Sequence, residues 1–367
     1  MSETFEIFLS CAPGLEPALA GEAKAAGFGP LRVAAGGVAF DGSWPDVWRA
    51  NLRLRIAARV LARIGGFPAV HLAQLDKRAR AFGWGAVLRP DVPVKVEATS
   101  RKSKIYHAGA AAQRVERAIA EELGAPIGEG GLRLLVRIEE NLVTFSVDTS
   151  GEPLHKRGHK QAVGKAPLRE TLAAGFLRVC GYDGSEPVLD PMCGSGSFVI
   201  EAAEIAAGLA PGRGRAFAFE RMAGFDPDAW EAMRAEIAPE GPVHLCRGFD
   251  RDAKVVGMAK ANAGRAGVAA RTRFACRAVA ELVPPEGPPG LVMVNPPYGG
   301  RIGAKSPLYG LYATLGEKLR AFSGWRVGLV TSELGLARAC GLPFLPPPPP
   351  VAHGGLKVRL YRTDPLP

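Results

Sequence analysis

The sequence predicts an α/β protein in which a small α+β region of about 160 residues precedes a doubly wound, mostly parallel sheet. Three observations carry that reading. From about residue 168 onward short apolar runs alternate with helical stretches, the pattern of parallel strands joined by crossover helices. Before residue 160 the apolar runs are closer together and separated by turn residues, as in small α+β units. A chain of 367 residues, 47% hydrophobic and 22% charged, is long enough for two cores and gives no sign of a disordered tail.

The first unit opens with a strand at Phe5 to Leu9, a helix from Leu15 to Ala26, and a second strand from Leu31 to Phe40 that contains Gly36 and Gly37, a β-α-β pattern. From Trp44 to Ile64 the pattern reads as one helix on which Arg55, Arg59 and Arg63 share a face, either as a solvated surface or as a phosphate-tracking stripe. A strand at Val92 to Ala98 leads into the basic turn Arg101-Lys102-Ser103-Lys104 and a helix from Ala108 to Leu123. Two apolar runs, Leu132 to Ile138 and Leu142 to Val147, flank Glu139-Glu140-Asn141 and read as a hairpin. The polar, basic stretch Leu154 to Lys160 has no periodicity and reads as a linker able to touch a phosphate backbone.

In the second unit strands are expected at Val188–Asp190, Val243–Asp250, Thr272–Ala275, Leu291–Asn295, Arg326–Thr331 and Leu356–Tyr361, with helices near 168–180, 196–209, 252–266 and 308–321. The run Pro346 to Pro350 must be extended and lies in a surface connection, an SH3-type ligand being the alternative.

Composition narrows the function classes. No apolar run approaches the ~18 residues of a membrane span, and the N-terminus carries Glu3 and Glu6 without a basic leader, so a cytoplasmic protein is expected. Six cysteines without a CxxC or CxxH pair argue for reduced thiols and against a metal module. The net charge of +10 suits a polyanionic partner such as nucleic acid, with plain solubility as the alternative.

Two motifs carry chemistry. Asp190-Pro191-Met192-Cys193-Gly194-Ser195-Gly196 follows a short apolar strand and opens a helix, where glycines let backbone N–H groups approach a ligand closely. Asp250, ending the next strand, is placed to accept hydrogen bonds from ribose hydroxyls; a helix N-cap is the competing job for Asp250 or Asp252, and Glu220 is a rival for the ribose. The second motif is Leu291 to Val294 followed by Asn295-Pro296-Pro297-Tyr298-Gly299. The prolines freeze the chain, so the Asn295 side chain and the Pro296 carbonyl offer two acceptors beside one aromatic ring. That set suits a planar base bearing an exocyclic amine. Both amine hydrogens can be bound while Tyr298 stacks on the ring, which localises the nitrogen lone pair towards an electrophile without a strong base.

With these motifs the chain resembles the class I S-adenosylmethionine-dependent methyltransferases, and over nearly its full length the THUMP-containing guanine-N2 RNA methyltransferases that act on 23S rRNA or tRNA. The resemblance is carried by Cys11-Ala12-Pro13-Gly14-Leu15-Glu16, Gly36-Gly37-Val38, Thr99 to Lys104, Asp148 to Gly158 and Ala166 to Ala173. It implies a ferredoxin-like domain at 1–62, a THUMP domain at 63–153, a linker at 154–166 and a Rossmann-like methyltransferase domain with a seven-stranded sheet at 167–367. It further implies that Asp190, Cys193, Gly194, Ser195, Gly196 and Asp250 hold S-adenosylmethionine, with Pro167 to Leu172 covering it. Asn295, Pro296, Pro297 and Tyr298 would hold the target guanine. Arg101, Lys102, Lys104, Lys156 and Arg157 would contact structured RNA, and no metal is implied. Such enzymes place an acid near the cofactor adenine; here the sequence runs Phe274-Ala275-Cys276-Arg277-Ala278-Val279, so backbone groups at 276–278 would read the base. The expected activity is N2-methylation of a guanosine in 23S rRNA, with the same reaction on tRNA or an RNA-binding assembly factor without turnover as alternatives; a glutamine or DNA adenine methyltransferase would not need the first 160 residues.

Overall fold

The computed structural model describes residues 4–161, 168–236, 244–298 and 305–367. Pro167, residues 162–166 of the expected linker and Val243 of the expected strand lie outside them. The elements run β1 (Phe5–Ser10), α1 (Glu16–Ala25), β2 (Arg32–Ala34), β3 (Gly37–Gly42), α2 (Trp44–Arg53), β4 (Arg59–Pro68), α3 (Leu72–Arg80), β5 (Val94–Arg101), α4 (Ala108–Leu123), β6 (Leu132–Glu139) and β7 (Leu142–Asp148). They continue with α5 (Glu170–Val179), β8 (Val188–Asp190), α6 (Ser197–Ala206), α7 (Pro227–Ala235), β9 (Cys246–Asp250), α8 (Ala253–Arg265), β10 (Thr272–Cys276), β11 (Leu291–Val294), α9 (Lys305–Leu319), β12 (Arg326–Thr331), α10 (Leu334–Cys340), β13 (Val351–His353) and β14 (Leu356–Arg362).

The chain forms two compact units that exchange segments. One comprises the described residues up to Ser10, with Ala23–Leu154 and Arg215–Glu236; the other comprises Cys11–Glu22, His155–Gly214 and the described residues of Ile237–Pro367. Each excursion is anchored by apolar packing and backbone bonds. In the first unit Phe219 stacks on Trp48 at 6.1 Å and its amide donates to the Thr149 carbonyl at 3.1 Å. In the second, Leu15 fills the space beside Gly175 of α5, and Arg178 donates to the Gly21 carbonyl at 2.7 Å.

The first unit is built on a seven-stranded sheet in the order β2-β3-β1-β4-β7-β6-β5, in which β5 and β6 are parallel and the other described pairs antiparallel. Its alternating strands bury one face, and Phe67, Phe82, Trp84 and Phe145 cluster with ring centroids 4.6–5.4 Å apart. Two expectations are corrected here. The segment 44–64 is not one helix: α2 stops at Arg53 and β4 starts at Arg59. A spacing of four places side chains on one face of a strand as well as of a helix, and Val60-Leu61-Ala62-Arg63 pairs with β1 and β7. The arginines on that face are spent on acids, Arg59 on Asp148 and Arg63 on Glu6. The segment Leu31 to Phe40 is a hairpin of β2 and β3 rather than one strand.

The second unit carries a seven-stranded sheet ordered β10-β9-β8-β11-β12-β14-β13. The first five strands are parallel, and β14 runs antiparallel to β12. All four residues of β11 are fully buried, as a strand covered on both faces requires, each worth about 1.5–3 kcal/mol of apolar burial. Between β8 and β11 the order changes direction, and their C-terminal ends carry the two motifs.

Candidate active site

The turn after β8 is organised by backbone bonds to β9. The Cys193 amide donates to the Phe249 carbonyl at 2.8 Å and the Gly194 amide to Asp250 Oδ2 at 3.1 Å. Gly194 and Gly196 have φ of +52° and +91°, conformations that side chains rarely adopt, and Gly196 caps α6. A Cβ built on Gly194 would meet nothing within 4 Å, so the turn borders open space of the kind a ligand fills. Gly248 is needed for contact: a Cβ there would lie 2.7 Å from the Phe274 ring and 3.1 Å from Cys193 Cβ. Ser195 is buried, and its carbonyl accepts from Asn262 of α8 at 3.1 Å.

Asp190 is buried, with Oδ1 accepting from the Met192 amide at 3.0 Å. Burial, aided by the charge of Asp250, pushes its carboxyl up to about 8. Asp250 accepts from the Gly194 and Asp252 amides, one on each oxygen, and a carboxylate retains further lone pairs for hydroxyl donors. The capping job falls to Asp252, whose side chain accepts from Lys254 at 2.8 Å. Glu220, the rival, belongs to the other unit and caps its own turn through the Phe217 amide at 2.8 Å. Beside Asp250 in register lies Cys276. The Arg277 guanidinium stacks on Phe249 at 4.7 Å, and Glu281 accepts from the Ala278 amide at 3.1 Å. Positions 276–278 carry no acid, and Glu281 brings a carboxylate beside them.

At the end of β11, Asn295 Oδ1 is buried and, among the described residues, has no hydrogen-bond partner. Leaving a buried carbonyl oxygen unpaired costs about 1–3 kcal/mol, so the atom is poised for a donor. Tyr298 packs, half-buried, against the core cluster that holds Val294 and Tyr312. Tyr312 of α9, fully buried, donates its hydroxyl to the Pro297 carbonyl at 3.3 Å. Nothing in the local sequence pairs Tyr312 with that loop, and the sequence reading missed it.

The basic segment after Leu154 departs from its expected role. Arg157 is 2% exposed and pairs with Glu201 and Glu204 of α6, so its guanidinium is unavailable to RNA phosphate. Glu204 also takes Arg213 at 2.6 Å, and Arg265 donates to the His159 carbonyl at 2.8 Å. Lys160 donates to the Leu168 carbonyl at 2.6 Å and to Ser197 Oγ at 2.7 Å, tying the segment to the first turn of α6. Burial lowers the pKa values of His159 and Lys160. A clue was present in the sequence: two acids three apart on the apolar helix Phe198 to Ala206 need buried cations. Lys156 is exposed, as are Arg101, Lys102 and Lys104 in the first unit.

Residues 157–342 match the family described as RMKL-like methyltransferase domain, and residues 6–61 match the RlmL ferredoxin-like domain. The chain is 34% identical over 361 residues to the ribosomal RNA large subunit methyltransferase K/L of Methylococcus capsulatus, and 35% identical over 364 residues to that of Syntrophotalea carbinolica. Each alignment covers 93% of this chain, and the chain spans about half the length of these curated relatives. Among solved structures, SMU.472, described as "a putative methyltransferase complexed with SAH", aligns with a TM-score of 0.88 at 28% identity, over 100% of this chain and 99% of that one. A Listeria monocytogenes protein described as a predicted N6-adenine-specific DNA methylase aligns with a TM-score of 0.86 at 30% identity, over 98% and 96%. TrmN from Thermus thermophilus, at 22% identity and TM-score 0.76 over 99% and 100%, shares the fold.

Proposed function

The chain belongs to the RMKL-like methyltransferase-domain family, and from that premise we propose that it transfers a methyl group from S-adenosylmethionine to the N2 amine of a guanosine in large-subunit ribosomal RNA. The observation that carries the chemistry is the buried Asn295 Oδ1 at the end of β11, without a hydrogen-bond partner among the described residues and three positions before Tyr298. The curated relatives named for large-subunit rRNA support the substrate, and the relative bound to SAH supports the cofactor. The turn, open at Gly194, and the carboxylate of Asp250 fit that group, the turn taking its methionine part and Asp250 its ribose.

When bound, S-adenosylmethionine supplies a methyl group on a positively charged sulfur. The remaining work belongs to the chain. Asn295 Oδ1 and the Pro296 carbonyl accept the two amine hydrogens of the base, while Tyr298 stacks on its ring. Holding both hydrogens leaves the nitrogen lone pair directed out of the ring plane. The amine loses a proton only after alkylation has made it acidic, so positioning and fixed dipoles replace a general base. Tyr312 holds the Pro297 carbonyl and thereby the loop that presents these acceptors. Glu281 supplies an acceptor beside the expected position of the cofactor adenine. In the first unit, Arg101, Lys102 and Lys104 contact RNA phosphates, with THUMP-like binding as their context, and Lys156 does the same in the second.

The test is incubation of the purified chain with labelled S-adenosylmethionine and total RNA from cells lacking the protein, followed by nucleoside mass spectrometry of separated RNAs. N2-methylguanosine in the large rRNA is the expected product. The same nucleoside in tRNA alone would move the substrate; N6-methyladenosine, or transfer only to DNA, would overturn the guanine assignment.

A further inference from the structure

The loop Arg101 to His107 between β5 and α4 holds an aromatic pair that the chemistry at Asn295 does not use. Tyr106 is 74% exposed, and its ring lies 4.4 Å from that of His107, which is also exposed. The His107 side chain is free of the capping bond its position at the start of α4 would allow. An aromatic ring left this open forgoes the apolar burial that other large rings of the unit obtain, and one beside three exposed cations suits a planar ligand that carries negative charge.

The charges support the same reading. On the sheet of this unit Arg59, Arg63, Arg133 and Arg137 are all committed to carboxylates. Arg101, Lys102 and Lys104 are exposed and, among the described residues, make no ion pair. The loop that carries them is anchored by hydrogen bonds. Ile105 is buried, its carbonyl accepts from Ser100 Oγ and its amide donates to Ser103 Oγ at 3.3 Å. Asn141 of the β6–β7 turn accepts from the Lys104 amide at 2.9 Å and from Ser103 Oγ at 3.2 Å. Lys102 sits at φ +49°, a strained conformation for a lysine, which this anchoring maintains.

We propose that the loop is a site for an unpaired RNA nucleotide, in which Tyr106 and His107 stack on the exposed base while Arg101, Lys102 and Lys104 contact the flanking phosphates. The proposal rests on the RNA reading above and deepens it. Cations alone track any backbone, duplex or not, whereas a base can lie on Tyr106 only where it is free of a partner strand. The site therefore selects a single-stranded segment adjoining structured RNA.

The test uses the full chain and fluorescence anisotropy with a labelled single-stranded RNA and a duplex of equal length. Wild type is expected to prefer the single strand. Tyr106→Ala should weaken single-strand binding roughly tenfold with little change for the duplex or in the salt dependence, whereas Tyr106→Phe retains affinity. Removing the charges of Lys102 and Lys104 should weaken both and flatten the salt slope. A 2-aminopurine base in the single strand should be quenched by wild type and much less by Tyr106→Ala. Unchanged single-strand affinity and quenching in Tyr106→Ala would overturn the stacking site while leaving RNA binding in place. No binding of wild type to either RNA would overturn both this site and the RNA reading. Because Tyr106 is exposed, the substitution leaves the core intact, and an unchanged melting temperature checks it.

Discussion

The hydroxyl of Tyr312 donates to the carbonyl oxygen of Pro297 across 3.3 Å, joining α9 to the loop that ends β11. Two prolines in succession restrict that loop but remove two amide donors, so the chain has few local ways to fix its carbonyls. The buried phenol supplies one from another element, and burial raises its pKa, so it remains a donor throughout the working pH range. Tyr312→Phe is expected to lower turnover about tenfold while SAH affinity stays within twofold, as measured by steady-state kinetics and calorimetry. Unchanged turnover would mean that the proline rings alone hold the loop.

Asn295 tests the transfer chemistry directly. Replacing it with alanine removes the unpartnered acceptor and should cost ~10²-fold or more in turnover, with SAH binding nearly unchanged. Asn295→Asp, which keeps an acceptor but adds charge, should fall between the two. Full activity in Asn295→Ala would remove the residue from the mechanism.

Asp190 makes stability depend on pH. Its carboxyl is pushed up to about 8 in the fold, against an ordinary value near 4, so between those limits folding takes up a proton. The favourable contribution of the protonated form is complete below pH ~4 and is lost as pH rises through about 8. Asp190→Asn keeps an acceptor for the Met192 amide and loses the ionisation. Its melting temperature should therefore gain on wild type between pH 5 and pH 8.5, by several °C, because wild type loses about 1.4 kcal/mol for each pH unit crossed below about 8. A difference independent of pH would show that Asp190 is ionised in the fold.

Arg157 separates a structural from a nucleic-acid role. With Glu201 and Glu204 left without it in a buried site, Arg157→Leu should cost about 3–5 kcal/mol in denaturant unfolding. Adding Glu201→Gln should recover part of that loss, which keeps the test informative if the single variant folds poorly. Arg157→Lys, which retains the charge, should leave the salt dependence of RNA binding as in wild type. A flattened slope would return the residue to the RNA surface.

The amino-acid sequence by itself determined the local pieces. The period of α4, the hairpin β6–β7, the turn from β8 into α6 and the proline-locked end of β11 are short-range patterns, and each lies where its residues place it. The tertiary structure decided what depended on distant partners. The spacing of Arg59 and Arg63 fits a helix face and a strand face alike, and only pairing with β1 and β7 selects the strand. The basic run around Arg157 is as consistent with phosphate as with carboxylate until α6 brings Glu201 and Glu204 against it. The exchange of residues 11–22 and 215–236 between units follows from contacts such as Leu15 on Gly175 and Phe219 on Trp48, partners more than 150 positions apart. Local periodicity reports which face is buried but not what buries it, so elements were legible and their partners were not.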